Sequence, residues 1–496
     1  MESRYLPTWN SLRTHNTPQW LKDTKFGIYT HWGVYSVPAH GPNGTWYPHF
    51  MYREGSPQYE YHIKTYGHPS KFGYKEFIPL FTADKFDADE WAELFKQAGA
   101  KFAGPVGEHH DGFAMWDTRF SDWNAARMGP RRNVVSELEK AIRKQNLRFM
   151  VALHHAENWW YYPHWRTEFD TSDPRYSGLY GQLHNQKWEN LEPAFEKLAH
   201  DWELQGDLQD KPGMVFLDNW LGKTREIIDL FHPDLLWFDY GLRWIEEHYK
   251  REMLAYFYNQ ASERDQEVAV TYKWNHLVPG AGIVDLELGR FDIQTYHDWI
   301  TDTTVDDGHG WSYIKEAKFK PLSTLIHYLI DNVSKNGHLL LNVGPKPDGS
   351  IPDEVKGLLA GMGKWLDVNG EAIFNTTPWM IYGEGPTQMT KAGYFMEDQE
   401  VRYTAQDIRF TAKDDVLYAI CLGWPKEQLM IKSLKLLYPE EIISVNMLGV
   451  ETALKWSLDA DGLKIHPTTQ KPCDHAYVFK IVRARPFRFD QVTLSN

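Results

Sequence analysis

Cysteine is almost missing: Cys421 and Cys473 are the two in 496 residues. Two thiols cannot staple a chain of this length, and sparse cysteines ordinarily serve as small buried side chains. No apolar run approaches the roughly 18 residues a membrane-crossing helix needs. The opening stretch, "MESRYLPTWNSLRTHNTPQW", lacks the apolar centre and small-residue cleavage site of a secretory signal, so a cytoplasmic location is expected. Positive charge is in deficit, with a formal net charge of −14. Phosphate backbones and anionic membrane surfaces would be repelled rather than neutralised, so neither nucleic acid nor membrane is expected as a partner. Low-complexity tracts and short internal repeats are absent, and no glycine-rich fingerprint follows a strand-like run, which counts against a dinucleotide fold.

Aromatic residues are abundant. They make up 15% of the chain, including 22 tryptophans and 27 tyrosines. Such rings fill a large rigid core, and they also stack on the C–H faces of sugar rings. Composition by itself favours the core.

Strand-like and helix-like segments alternate from about residue 25 to residue 370. "KFGIYTHWG", "KFAGPVGEHH", "RFMVALHH", "DLLWFD", "EVAVTY" and "GIVDLE" read as the first six strands. A seventh is expected within 291–302, and "HLLLNVG" is the eighth. Between them, "ADEWAELFKQAGA", "NVVSELEKAIRKQNL", "MVFLDNWLGKTREIIDLFHP" and "STLIHYLIDNVSKNG" carry apolar residues at three- and four-residue spacing, and "DEVKGLLAGMGKWLDVNG" closes the series. Regular alternation implies a parallel sheet, and eight units fit a closed (β/α)8-like barrel. Short alternating strands follow, so the division expected is a barrel over 1–380 and a C-terminal all-β sandwich domain over 381–496.

Barrel chemistry gathers at the C-terminal strand ends. Here those ends carry His31 and Trp32, then His109, His110 and Asp111, then His154 and His155 with Glu157 nearby, then Asp239 and Glu287. Any one of these histidines could be structural; five converging on one face are harder to dismiss. The set suits either a metal-dependent hydrolase or a sugar pocket with a carboxylate pair. Adjacent strand residues point to opposite faces, so the "HH" pair should chelate poorly, which favours the sugar.

Five strings, "TKFGIYTHWGVYSVPA", "EHHDGFAMWDTRFSDWNAA", "GPRRNVVSELEKAIRKQNLRF", "PDLLWFDYG" and "NGHLLLNVGPKPDGSIPDE", stand in the order found in the α-L-fucosidases of glycoside hydrolase family 29. The chain resembles that family over about residues 20–380. The resemblance implies a barrel with a C-terminal β-sandwich. It also implies hydrolysis of α-L-fucosides with retained configuration, no metal or organic cofactor, and a small fucosylated glycan or oligosaccharide as substrate. Transfer of fucose to another sugar is a compatible side reaction, and family members often associate, so a homo-oligomer is compatible too. Position by position, Asp239 matches the nucleophile, although Tyr240 stands where the family usually has Gly. His31 and Trp32 match fucose contacts, His109 and His110 match the pair that binds fucose hydroxyls, and Trp46 and His155 are further contacts. Trp311 and Tyr313 resemble a pocket-lining stretch. The acid/base is assigned to Glu287, with Asp292, Asp298 and Asp302 as rivals. Against this stand a metal-dependent hydrolase using the same histidines and a non-catalytic sugar-binding barrel.

Overall fold

The computed structural model describes residues 4–188, 211–308, 310–389, 391–397, 401–435, 440–466 and 468–484. Eight parallel strands close into a barrel: β1 (Phe26–Thr30), β2 (Phe102–Glu108), β3 (Arg148–Leu153), β4 (Leu235–Phe238), β5 (Ala269–Lys273), β6 (Ile283–Asp285), β7 (Trp299–Thr304) and β8 (Gly337–Val343). Each pairs with its sequence neighbour, and β8 returns to β1. Because strand side chains alternate, one set fills the barrel and the other faces the helices. Met150, Ala152, Leu235, Trp237, Ile300 and Leu340 belong to the inner cluster, whereas Phe149, Val151, Leu236, Phe238, Leu339 and Leu341 belong to the outer one.

The connecting helices are α1 (Ala88–Gln97), α2 (Val134–Lys144), α3 (Met214–Phe231), α4 (Glu247–Glu263), α5 (Leu322–Ser334) and α6 (Asp353–Asn369). Local chemistry starts two of them: Asp87 accepts from the backbone of Asp89 and Glu90, and Asn133 from that of Ser136. Sequence periodicity does not reveal α4. Its buried face, including Tyr249, Met253, Phe257 and Tyr258, is aromatic and interleaved with partly buried charge, which blurs the helical pattern.

A five-stranded antiparallel sheet follows, in the order β13-β16-β11-β10-β9: β13 is Ile442–Met447, β16 Tyr477–Arg483, β11 Val416–Cys421, β10 Ile408–Lys413 and β9 Thr377–Glu384. A three-stranded sheet, β12 (Leu429–Ile431), β15 (Gly462–Ile465) and β14 (Trp456–Asp459), packs on it. Phe410, Leu417 and Ala419 from one sheet share a core with Ile431, Leu463 and Ile465 from the other, which makes a sandwich. The expected domain boundary at 380/381 falls inside β9, a strand that belongs wholly to the sandwich. The end of "HAYVFKIVRARPF" beyond residue 484 lies outside the described residues. Arg409 on β10 ties the sandwich to the barrel through a buried 2.7 Å bond to Asp331 on α5. Cys421 is buried, Cys473 is partly buried, and both are free thiols. Among the described residues no helix is long and apolar enough to cross a membrane.

Candidate active site

One pocket at the C-terminal mouth of the barrel is lined by Tyr29, His31, Trp46, His109, His110, His154, Trp237, Asp239, Glu287, Asp302 and Trp311, among others. Three of its four histidines have a fixed proton at Nδ1. On β8, Asn342 Nδ2 donates to the Trp311 carbonyl at 2.6 Å, which leaves Oδ1 to accept from His31 Nδ1 at 2.8 Å. His110 Nδ1 meets the carbonyl of His154 at 3.0 Å, and His154 Nδ1 meets Asp239 Oδ2 at 3.0 Å. Carbonyls and carboxylates only accept, so Nδ1 carries the proton in each ring. Burial, first of all, holds His31, His109 and His110 below the ordinary histidine range, the last at about 3. The neutral His31 ring therefore presents its Nε2 lone pair, which accepts a hydrogen bond from a hydroxyl, whereas His110 Nε2 lies 3.4 Å from Asp239 Oδ2.

The strand alternation expected to separate His109 from His110 does not operate here. β2 ends at Glu108, and the Gly112 amide bonds back to His109 in a tight turn. That turn requires glycine: φ is +78°, and a Cβ would lie 2.0 Å from the Leu179 carbonyl oxygen. Both rings consequently enter the pocket, 4.1 Å apart between centroids. The two rings still do not share one set of candidate ligand atoms. His31, His109 and His154, and separately His110, His154 and Asp239, have ligand atoms within 4.8 Å of one another. Nδ1 of three of these rings is already committed to a hydrogen bond, so any ion would be left with their Nε2 atoms, His109 and carboxylate oxygens.

The two leading carboxyl groups differ in kind. Asp239 follows β4, with Oδ2 held by His154 and with Oδ1 buried and unpaired. Burial alone would raise its pKa, but His154, His110 and Lys273 outweigh it and hold Asp239 well below the ordinary carboxylate range. Glu287 follows β6. Burial raises its pKa to about 8, helped by Asp302 and Asp239 and opposed by Lys273. One carboxyl is an anion at neutral pH and the other an acid.

Comparison with known proteins gives this pocket its context. The α-L-fucosidase family model matches residues 1–371, and the α-L-fucosidase C-terminal domain model matches residues 399–482. The chain belongs to the α-L-fucosidase family. Tissue α-L-fucosidase of Bos taurus is 31% identical over 96% of this chain and 91% of its own length. The Homo sapiens tissue enzyme is 31% identical over 96% and 92%. Among solved structures, an α-fucosidase of Thermotoga maritima in complex with fucose superposes with a TM-score of 0.74 at 30% identity, covering 97% of this chain and all of that one.

Not every residue expected in the fucosidase pocket is there. Trp32 is 2% exposed, packs on Phe81, Phe86 and Trp91, and donates Nε1 to the Lys346 carbonyl at 2.7 Å. It is core, because the residue after His31 faces the other way. His155 turns away in the same manner. A 3-10 turn over His155–Glu157 carries it onto Trp220, with Nε2 3.3 Å from the Trp220 carbonyl, and into a separate cavity beside Glu108 and Lys223. His154, its neighbour, takes the place in the pocket. Tyr313 lies outside the lining, under the Lys346 ammonium. Asp298 sits at the opposite end of the barrel, bonded to His338 at the start of β8, and Asp292 is solvent-exposed. Asp302 does line the pocket, but Oδ1 is 2.6 Å from Lys273 Nζ and Oδ2 accepts from Tyr29 at 3.0 Å.

Lys273, unremarkable in the sequence, is the centre of this region. Its ammonium is fully buried, 2.6 Å from both Asp285 and Asp302 and 3.4 Å from Glu287, over the Trp237 ring. Trp237 Nε1 completes Asp285 at 2.8 Å. Removing one partner of a buried ion group leaves uncompensated charge, which costs about 3–5 kcal/mol. Lys273→Met is therefore expected to lower unfolding stability by about that amount in urea denaturation. An unchanged midpoint would mean that the ammonium does not neutralise these acids.

Proposed function

We infer that the chain hydrolyses α-L-fucosides with retention, releasing L-fucose by double displacement. The observation that carries the residue assignment is the paired state of the pocket: an ionised Asp239 with a free oxygen, and a protonated Glu287 in the same lining. In the first step Asp239 Oδ1 attacks the anomeric carbon. The bond to the departing oxygen breaks, and the Glu287 proton moves to that oxygen. In the second step Glu287, now a carboxylate, takes a proton from water. That water displaces Asp239 from the covalent β-fucosyl intermediate. Retention needs the two carboxyl groups about 5–5.5 Å apart with the sugar between them.

The other groups bind and orient. His31, with Nδ1 protonated, accepts a sugar hydroxyl at Nε2, His110 sets its Nε2 3.4 Å from the nucleophile's Oδ2, and the unpaired buried Nδ1 of His109 and Nε2 of His154 lack partners that hydroxyls would supply. Trp46, Trp237 and Trp311 provide apolar walls for the C6 methyl group. A pocket that requires both a methyl and a set of hydroxyls favours fucose over galactose. The natural substrate class is a small fucosylated glycan or oligosaccharide. The same histidines could be read as metal ligands, but family membership favours glycoside hydrolysis, and Asp239 favours catalysis over simple binding.

The test is stereochemical. Proton NMR of an aryl α-L-fucoside during hydrolysis is expected to show α-L-fucose as the first anomer, and β-L-fucose first would overturn double displacement. On the same substrate kcat/KM should fall as pH rises through about 8, where Glu287 loses its proton. The acid limb should lie below the ordinary carboxylate range, because Asp239 stays ionised there.

A further inference from the structure

Beside Glu287, outside the sugar pocket, the structure holds an aromatic patch that catalysis of fucose release does not use. Tyr240 stands on the nucleophile loop, with Trp274 at 4.4 Å and Phe395 at 6.3 Å, the latter nearly parallel at 23°. Trp274 follows β5, whereas Phe395 comes from the chain beyond β9, in the second domain. That segment is stitched to the loop bearing the proton donor. The Phe395 amide donates to the Glu287 carbonyl at 2.9 Å and the Met396 amide to Leu288 at 2.7 Å. Arg290 and Gly393 exchange both backbone bonds, at 3.0 and 2.9 Å. The approach is close enough to demand glycine, since a Cβ on Gly289 would lie 2.0 Å from the Gly393 oxygen. The Tyr394 hydroxyl fixes the backbone at Trp274 by accepting from its amide at 2.6 Å.

Trp274 and Phe395 both have positive φ, 49° and 55°, a conformation that bulky residues avoid. Phe395 is also 48% exposed. Strained backbone that leaves a large apolar ring half in water is not explained by core packing, and such strain gathers at ligand sites. The chemistry says what arrives. The departing oxygen must sit at the Glu287 carboxyl, so the group it belongs to runs on past Glu287, over this patch.

We propose that Tyr240, Trp274 and Phe395 form the subsite for the leaving group, stacking the C–H face of a pyranose ring attached to fucose. The inference rests on the fucosidase reading above and adds the leaving-group half of the substrate. Tyr240, which replaces the usual Gly, supplies the floor of the platform, and the second domain supplies its outer edge while holding the proton-donor loop. Selection for a ring-shaped leaving group over a small one follows.

The experiment compares kcat/KM for the best of a panel of fucosyl-disaccharides with that for α-L-fucosyl fluoride, whose fluoride cannot stack. Phe395→Ala and Trp274→Ala are each expected to lower the disaccharide-to-fluoride ratio by about tenfold, and Phe395→Trp to keep it within about twofold of the parent. A ratio unmoved by Phe395→Ala overturns the subsite while leaving the fucosidase reading intact. A parent enzyme that cleaves neither substrate overturns both. If Trp274→Ala fails to fold, the exposed Phe395 position decides the matter.

Discussion

Asp239→Ala is expected to lower kcat/KM on an aryl α-L-fucoside by about 10⁴-fold, the scale seen when a nucleophile is removed and only binding and electrostatics remain. Geometry makes the loss specific. Oδ2 is occupied by His154 Nδ1, while Oδ1 is buried without a partner and free to form a bond. Alanine removes both oxygens and opens a small space on the face from which the anomeric carbon would be attacked. Azide fits that space and needs no activation. Added azide should restore turnover, and the product should be β-L-fucosyl azide, inverted because one displacement has replaced two. The variant should unfold within a few degrees of the parent, since the charge lost belongs to the pocket and not to the core. Undiminished hydrolysis by Asp239→Ala would remove Asp239 from the mechanism, whatever its position in the barrel.

The barrel was legible in the sequence because two periods alternate, and because a strand that ends in histidines or carboxylates departs visibly from its own apolar pattern. Asp239 and Glu287 stood out for that reason. What hid from the sequence depended on rotation at the strand ends. The alternation within β1 and β3 carries on past their ends, so His31 and His154 face in while Trp32 and His155 face away; past β2 it breaks, and His109 and His110 both face in. His154 is in phase with the inward Met150 and Ala152, so continuing the period of β3 by one residue picks it over His155. Lys273 shows a second limit. It lies one residue past the expected strand "EVAVTY", and its partners Asp285 and Asp302 lie on strands that meet it when the barrel closes. The abundant tryptophans also divide in a way composition does not show. Trp116, Trp237 and Trp244 donate ring N–H groups to the buried carboxylates of Glu226, Asp285 and Glu157, so some of the tryptophans satisfy buried acids in the scaffold.

Glu287→Ala tests the other half of the pair, and its expected signature is unequal loss. A donor is needed in proportion to how poor the leaving group is. Natural fucosides, which depart as alkoxides without it, should lose about 10²–10⁴-fold in kcat/KM, whereas a dinitrophenyl fucoside should lose far less. The fall in activity near pH 8 should vanish with the group that causes it. With Asp239 intact the fucosyl intermediate still forms, so azide should now give the α-L-fucosyl azide by a second displacement. That is the opposite anomer from the Asp239 variant, and the two products together separate the roles without relying on rates. Equal losses on good and poor leaving groups would discard Glu287 as the donor. Attention would then pass to Asp302, which would have to give up Lys273 or Tyr29 to deliver a proton into the pocket.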